Sequence, residues 1–200
     1  MNTRDQIKKL CEALTQDGRP SSDFDLNSDV ELPPNRTLRK AAVLVGIATY
    51  RGQAEIILTK RASSLKHHPG QIAFPGGKQD KTDTDLAQTA LRESWEEIGL
   101  PPEGVKILGQ LPPHETVTGF SVTPVLAHIE APFSIIREPG EVDEVFSVPL
   151  HHLMVTQNYG IQYRFWRGAR RKYYTVPYGP YYIWGATARM LRALADRVEI

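Results

Sequence analysis

The sequence predicts an α+β fold, a mixed β-sheet packed between helices in an α/β/α sandwich, on three observations. Residues 41–50, AAVLVGIATY, form a continuous apolar run suited to a central strand, and AEIILTKR at 54–61 returns after Arg51 and Gly52 as its antiparallel partner. Residues 85–98 carry apolar positions at helical spacing, with Asp83 or Thr84 as a cap and Gly99 as a stop. Short strand-like runs then alternate with a few helical ones, which suits one layered domain.

The remaining elements are read in order. Residues 3–14 predict a short amphipathic helix with Ile7, Leu10, Leu14 and Cys11 on one side, and 18–36, rich in Pro, Ser, Asp and Asn, predict an irregular arm. Residues 1–35 are thus a helix and arm, and 36–200 the main domain. A strand at 71–74 ends at Pro75. Further strands are expected at 105–111, 118–129, 145–148, 161–166 and 181–184. Helices are expected at 150–156 and 186–198, the latter with Ala188, Leu191, Leu194, Ala195 and Val198 on one side. No internal repeat is present.

The chain has 200 residues, 40% of them hydrophobic, enough for one domain with a substantial core. Its 24 basic and 23 acidic side chains leave a formal charge of +1, which gives no compositional case for nucleic acid or an anionic membrane. Two local basic clusters stand out: Lys60, Arg61, Lys66, His67 and His68, and Arg167, Arg170, Arg171 and Lys172 on an expected hairpin. The lone Cys11 excludes an internal disulfide. No apolar run approaches the ~20 residues that cross a bilayer, so a cytoplasmic location is the default expectation.

The chemistry concentrates between Gly76 and Leu100. On a helix, Glu93, Glu96 and Glu97 share one side, opposite a stripe of Leu86 or Ala87, Ala90, Leu91, Ser94 and Ile98. Three carboxylates repel one another unless cations stand between them, and hard divalent ions take oxygen ligands while keeping waters and substrate phosphates. Arg92, four residues before Glu96, is placed to hold that carboxylate in a bidentate pair. Gly76 and Gly77 permit a close backbone turn beside such a site. An ordinary solvated acidic face is the plain alternative for the helix alone.

This stretch resembles the Nudix box: a glycine, five residues, a glutamate, seven residues, then Arg-Glu, an apolar residue, any residue, Glu-Glu, any residue, Gly and an apolar residue. Gly77, Arg92, Glu93, Glu96, Glu97, Gly99 and Leu100 match. Asp83 stands where the first glutamate is expected, eight residues rather than seven separate it from Arg92, and Ser94 replaces the apolar residue. The resemblance implies a Nudix fold and hydrolysis of a nucleoside diphosphate linked to another group, with Mg²⁺ or Mn²⁺. By the same resemblance Glu93, Glu96 and Glu97 are metal ligands with the Gly77 carbonyl a further one, and Arg92 orients a glutamate.

Upstream, LTKRASSLKHHPGQIAFPGG at 58–77 is similar to the extra signature of the coenzyme A pyrophosphatase branch, and Ile183 to Arg189 resembles that branch's closing strand and helix. Coenzyme A, cut to 4'-phosphopantetheine and adenosine 3',5'-bisphosphate, is the substrate this implies. Arg61, Lys66, His67, His68, Gly76 and Gly77 are then substrate-binding candidates, the basic ones suited to a 3'-phosphate.

The resemblance also implies a general base, or a further metal ligand, from a loop beyond the helix, for which Glu144, directly before a strand-like run, is favoured over Glu141. His114 is a weaker substrate-contact candidate, as Asp83 is for metal. The aromatic tail with Trp166, Tyr173, Tyr174, Tyr178 and Tyr181 can stack an adenine, line a homodimer seam or pack in the core. Two other readings stand: a diphosphatase for ADP-ribose, NADH or a nucleoside triphosphate, and a nucleotide-binding regulatory module without turnover. No nucleic-acid or membrane partner is expected.

Overall fold

The structure is a computed structural model. It describes every residue except Met1, Glu31, Pro34, Arg167, Glu199 and Ile200, and leaves the Trp166 side chain undescribed. Arg167 and the Trp166 side chain, both named above, therefore lie outside the described residues.

In chain order the elements are α1 (Thr3–Thr15), β1 (Ser21–Ser22), β2 (Arg39–Ala48), β3 (Glu55–Arg61), β4 (Ile72–Ala73), β5 (Gly76–Lys78) and α2 (Leu86–Ile98). They continue with β6 (Val105–Gln110), β7 (His114–Glu115), β8 (Phe120–Ile129), β9 (Val142–Pro149), α3 (Leu150–Met154), β10 (Gly160–Trp166), β11 (Ala169–Thr175) and α4 (Gly185–Ala195). Strands β1 to β9 form one mixed sheet, and β10 with β11 a separate hairpin.

The sheet separates two apolar layers. On one face α2 packs Ala90 and Ile98 against Ala42, Leu44, Ile57, Val125 and Ile129. On the other, Leu10 of α1, Leu150 and Leu153 of α3, and Ala188, Leu191 and Leu194 of α4 pack against Val45, Ile47, Ile56 and Leu58. The expected α/β/α sandwich is present. Alternation along β2 makes this possible, since successive side chains point to opposite faces of a strand and both faces here are covered.

One topological detail positions the chemistry. The expected β2–β3 hairpin pairs only beside its turn, at Ile47–Ile56 and Ala48–Glu55. Beyond that the strands part. β5 takes the place beside β2, with Ala42 opposite Gly77 and Val43 opposite Gly76, while β3 turns to β4 and β9. On its other edge β2 runs parallel to β8 over its whole length. The glycine bend thus enters a split in the sheet.

Several boundaries differ from the sequence reading. The segment read as an irregular arm supplies β1, parallel to β7, and Leu10 and Ala13 of α1 are fully buried. The strand expected at 71–74 shortens to Ile72–Ala73, and 145–148 extends to Val142–Pro149. The strand expected at 181–184 is absent: Tyr181 and Trp184 form isolated bridges to Tyr178 and Thr175. Tyr181 instead stacks on Phe146, ring centroids 3.5 Å apart, so side-chain packing rather than a ladder fixes that turn.

Candidate active site

Helix α2 begins at Leu86 because Asp85, in extended conformation, accepts the Gln88 N–H on its side chain. The cap is Asp85, not Asp83 or Thr84. The helix stops at Gly99, φ 70°, whose N–H closes on the Ser94 and Trp95 carbonyls. Ser94, where an apolar residue was expected, is fully buried and satisfies its hydroxyl on the Ala90 carbonyl at 2.7 Å.

The glycine bend is pressed against this helix. Gly76 has φ 152°, and a β-carbon on it would lie 2.4 Å from the Ala42 carbonyl oxygen. A β-carbon on Gly77 would lie 2.4 Å from the Glu93 carboxyl carbon. Only glycines let backbone and carboxylates come this close. The Gly76 N–H donates to Glu97 Oε2 at 3.1 Å.

Arg92 is saturated. Its Nε and Nη2 donate to the two oxygens of Asp83, both at 3.0 Å. Nη1 donates to Glu93 Oε1 and Glu96 Oε2, both at 3.0 Å, and Nη2 also to the Lys78 carbonyl at 3.1 Å. All five guanidinium N–H groups are spent. The bidentate partner is therefore Asp83 rather than Glu96, which takes a single bond. The extra residue before Arg92 is absorbed by the turn in which Asp83 accepts the Asp80 N–H, with the Thr89 hydroxyl added from the helix. Bonding from Arg92 holds the Asp83 carboxyl well below the usual carboxylate range and pushes Arg92 up in return.

The three helix acids occupy graded environments. Glu97 is 4% exposed, Glu93 is half-buried, and Glu96 reaches solvent. Burial pushes Glu97 up to about 8, against the pull of the Gly76 N–H and of Arg61, with Glu141 and Glu93 adding repulsion. Burial also raises Glu93, which Arg92 draws back. A nearby cation would favour the charged form of such a buried carboxylate.

Arg61 links this cluster to a recess. A β-bulge between Lys60 and Arg61 re-aims the strand end, and the buried Arg61 Nε has no hydrogen-bond partner among the described residues. Arg61, His68, Gln71 and Phe74 line a cavity of about 280 Å³, closed by Arg164, Arg171 and Tyr173 of the hairpin, by Trp184, and by Asp23 and Phe24 from the N-terminal segment. Its floor includes Val43, the strand partner of Gly76, so recess and glycine bend adjoin. Burial of its ring and the Arg61 charge lower His68, favouring the neutral imidazole.

Other candidates fall elsewhere. Lys66 and His67 are exposed and do not line the recess. Glu144 accepts the Tyr181 hydroxyl, on the face of the sheet that carries Phe146 and α4 rather than α2. Glu141 is the loop acid that repels both Glu93 and Glu97. His114 is fully buried, its ring nitrogens held by Ser21 at 2.9 Å and Asp23 at 3.2 Å, so it ties β7 to the N-terminal segment away from the acids. Sequence reading missed Arg164, Gln71 and Trp184. It saw Arg171 and Lys172 only as a basic patch, because lone residues on a hairpin carry no spacing signal until the hairpin folds over the sheet.

The NUDIX domain family model matches residues 39–167, well over half of the chain. The chain belongs to the Nudix family. Over 160 residues it is 43% identical to "Uncharacterized Nudix hydrolase NudL" of Enterobacter sp. (strain 638), covering 80% of this chain and 83% of that one. The same-named protein of Pectobacterium atrosepticum is 39% identical over 183 residues, 89% of this chain and 94% of that one. The fold is shared with the MutT protein of Methanosarcina mazei Go1, at TM-score 0.52 and 20% identity, covering 82% of this chain and 97% of that one.

Nudix hydrolases are generally metal-dependent and act on nucleoside diphosphates. Among the described residues no three His, Cys, Asp or Glu side chains converge as a ready-made metal cage. Magnesium sites typically use one or two carboxylates, with waters and substrate phosphates completing the shell. Buried Glu97, half-buried Glu93 and the adjoining glycine backbone fit that requirement in donor chemistry. Among the described residues no helix is long and apolar enough to cross a membrane.

Proposed function

We propose that this Nudix hydrolase is a Mg²⁺- or Mn²⁺-dependent diphosphatase of an adenine nucleotide, with coenzyme A as the substrate its sequence favours. The observation that carries the general reaction is the seating of Glu93 and Glu97 against the Gly76–Gly77 bend. Coenzyme A rests on the 58–77 signature and on a recess lined by more cationic side chains than a cleaved diphosphate needs.

In this reading Glu97 and Glu93 hold metal, with the Gly77 carbonyl beside them, while Glu96, nearer solvent, completes the set. The metal would neutralise phosphate charge and lower the pKa of bound water. Arg92 fixes Glu93 and Glu96 through Nη1 and is itself fixed by Asp83, so the acids keep their geometry when the cation arrives. Arg61 reaches the substrate phosphates from the recess side. Glu141, in the field of Glu93 and Glu97, replaces Glu144 as the favoured loop base. Tyr173 and Trp184 offer faces for an adenine.

The names of the relatives similar over most of the chain assign no substrate, so the broader reading is a diphosphatase of ADP-ribose, NADH or a nucleoside triphosphate. The recess cations suit any of these. Purified protein with each metal is given coenzyme A, ADP-ribose, NADH and nucleoside triphosphates in competition, and the products are resolved. Adenosine 3',5'-bisphosphate as the main product supports coenzyme A. Preferential cleavage of ADP-ribose or NADH establishes the broader reading, and metal-dependent binding without turnover establishes a regulatory module.

A further inference from the structure

Arg164 and Arg171 stand directly opposite each other across the β10–β11 hairpin, and both line the recess. Like charges in that register destabilise a strand pair. Among the described residues no carboxylate forms an ion pair with either. The Arg164 guanidinium lies 4.6 Å from the Trp184 ring centroid, and Tyr173 packs on the same ring at 5.0 Å. Asp23, the one carboxylate lining the recess among described residues, has both oxygens engaged, Oδ1 beside His114 Nε2 and Oδ2 accepting the Val117 N–H at 2.8 Å.

The hairpin is held in place. Asn27, 5% exposed, donates its amide to the Lys172 carbonyl at 3.0 Å and accepts the Lys172 N–H at 2.8 Å, acting as a local strand partner for β11. Residues 21–27 and the far strand of the hairpin lie outside the 39–167 match, so part of the recess wall is built by segments beyond the family core. A recess with two facing cations, an engaged acid and an indole flank has the chemistry of an anion site next to a flat ring.

We propose that Arg164 and Arg171 bind a phosphate monoester that the nucleotide carries apart from the diphosphate being cleaved, with Trp184 alongside the base and Asn27 as the positioning residue for β11. This deepens the reading of the preceding subsection and rests on it for the diphosphate at α2. It assigns the second phosphate to the hairpin rather than to Lys66 and His67. The like-charge repulsion in the free protein is relieved when the dianion enters, so the site discriminates by charge and not by size.

Calorimetric binding of adenosine 3',5'-bisphosphate and of adenosine 5'-monophosphate to the full chain, without metal, tests this. Wild type should bind the bisphosphate about 10-fold or more tightly than the monophosphate. The Arg164→Gln/Arg171→Gln double variant should bring the two within about twofold through a loss of bisphosphate affinity, and its melting temperature should not fall, because a repulsion has been removed. Arg171→Gln alone serves as the second variant, and Arg164→Lys/Arg171→Lys should restore part of the preference. Equal affinities in wild type, or a preference that survives the double variant, overturns the proposal. Bisphosphate preference without coenzyme A hydrolysis defeats only the substrate assignment; coenzyme A hydrolysis without that preference defeats only this site.

Discussion

Arg92 grips Asp83 through Nε and Nη2, each at 3.0 Å, and the same guanidinium holds Glu93 and Glu96 through Nη1. One side chain thereby converts a repelling acid cluster into a fixed one. The carboxylate supplying the anchor lies nine residues away, outside the helix.

Asp83→Asn is expected to lower the melting temperature by roughly 5 °C, since two charge-assisted bonds are weakened at a buried position. Because Arg92 bonding depresses the folded-state pKa of Asp83, its contribution is present above the unfolded value near ~3.9 and lost as pH falls through the folded one. Acid unfolding curves of wild type and variant should converge at low pH. A constant gap down to the lowest pH would show that the charge is not what stabilises.

Glu97→Gln should keep the Gly76 bond, through the amide oxygen, while losing the negative charge, and kcat should fall about 100-fold or more with a weakened metal requirement. The metal-free proteins should also differ with pH. Glu97 in the fold is pushed up to about 8 by burial, so its stabilisation is full below the unfolded value near ~4.3 and is lost as pH rises through about 8. Denaturant midpoints measured from pH 5 to 8 should decline in wild type and stay flatter in the variant.

Gly77→Ala drives a methyl group into the Glu93 carboxylate, a flexible end that can swing away. Folding should survive while kcat drops about tenfold or more, read by steady-state kinetics beside a melting curve. Gly76→Ala meets the Ala42 carbonyl instead, which is backbone and cannot yield. That variant should lose about 2 kcal/mol or more of stability in denaturant titration.

Glu141→Gln should lower kcat by about 10- to 100-fold if the loop acid takes part in proton transfer. Glu144→Gln should change kcat by less than about twofold, because Glu144 is engaged by Tyr181 on the other side of the sheet. The reverse order of effects in parallel kinetic assays would return the role to Glu144.

Local pattern alone specified the sandwich, helix α2 with its Gly99 stop, and the acid cluster beside the glycine pair. Apolar periodicity, caps and a fixed short spacing are local properties, and each left a readable pattern. Residues 93, 96 and 97 are close in any helix. Three-dimensional packing settled which acid is buried, since that depends on how α2 rolls against β2 and where Gly76 enters the split sheet. It also decided that Arg92 pairs with Asp83, that Arg61 turns inward at a bulge, and that Arg164, Arg171 and Trp184 close a recess with Asp23 and Asn27. Those partners are separated by up to about 160 residues of chain, and no periodicity connects them; their proximity comes from the burial of two apolar faces that says nothing, residue by residue, about the polar groups carried along.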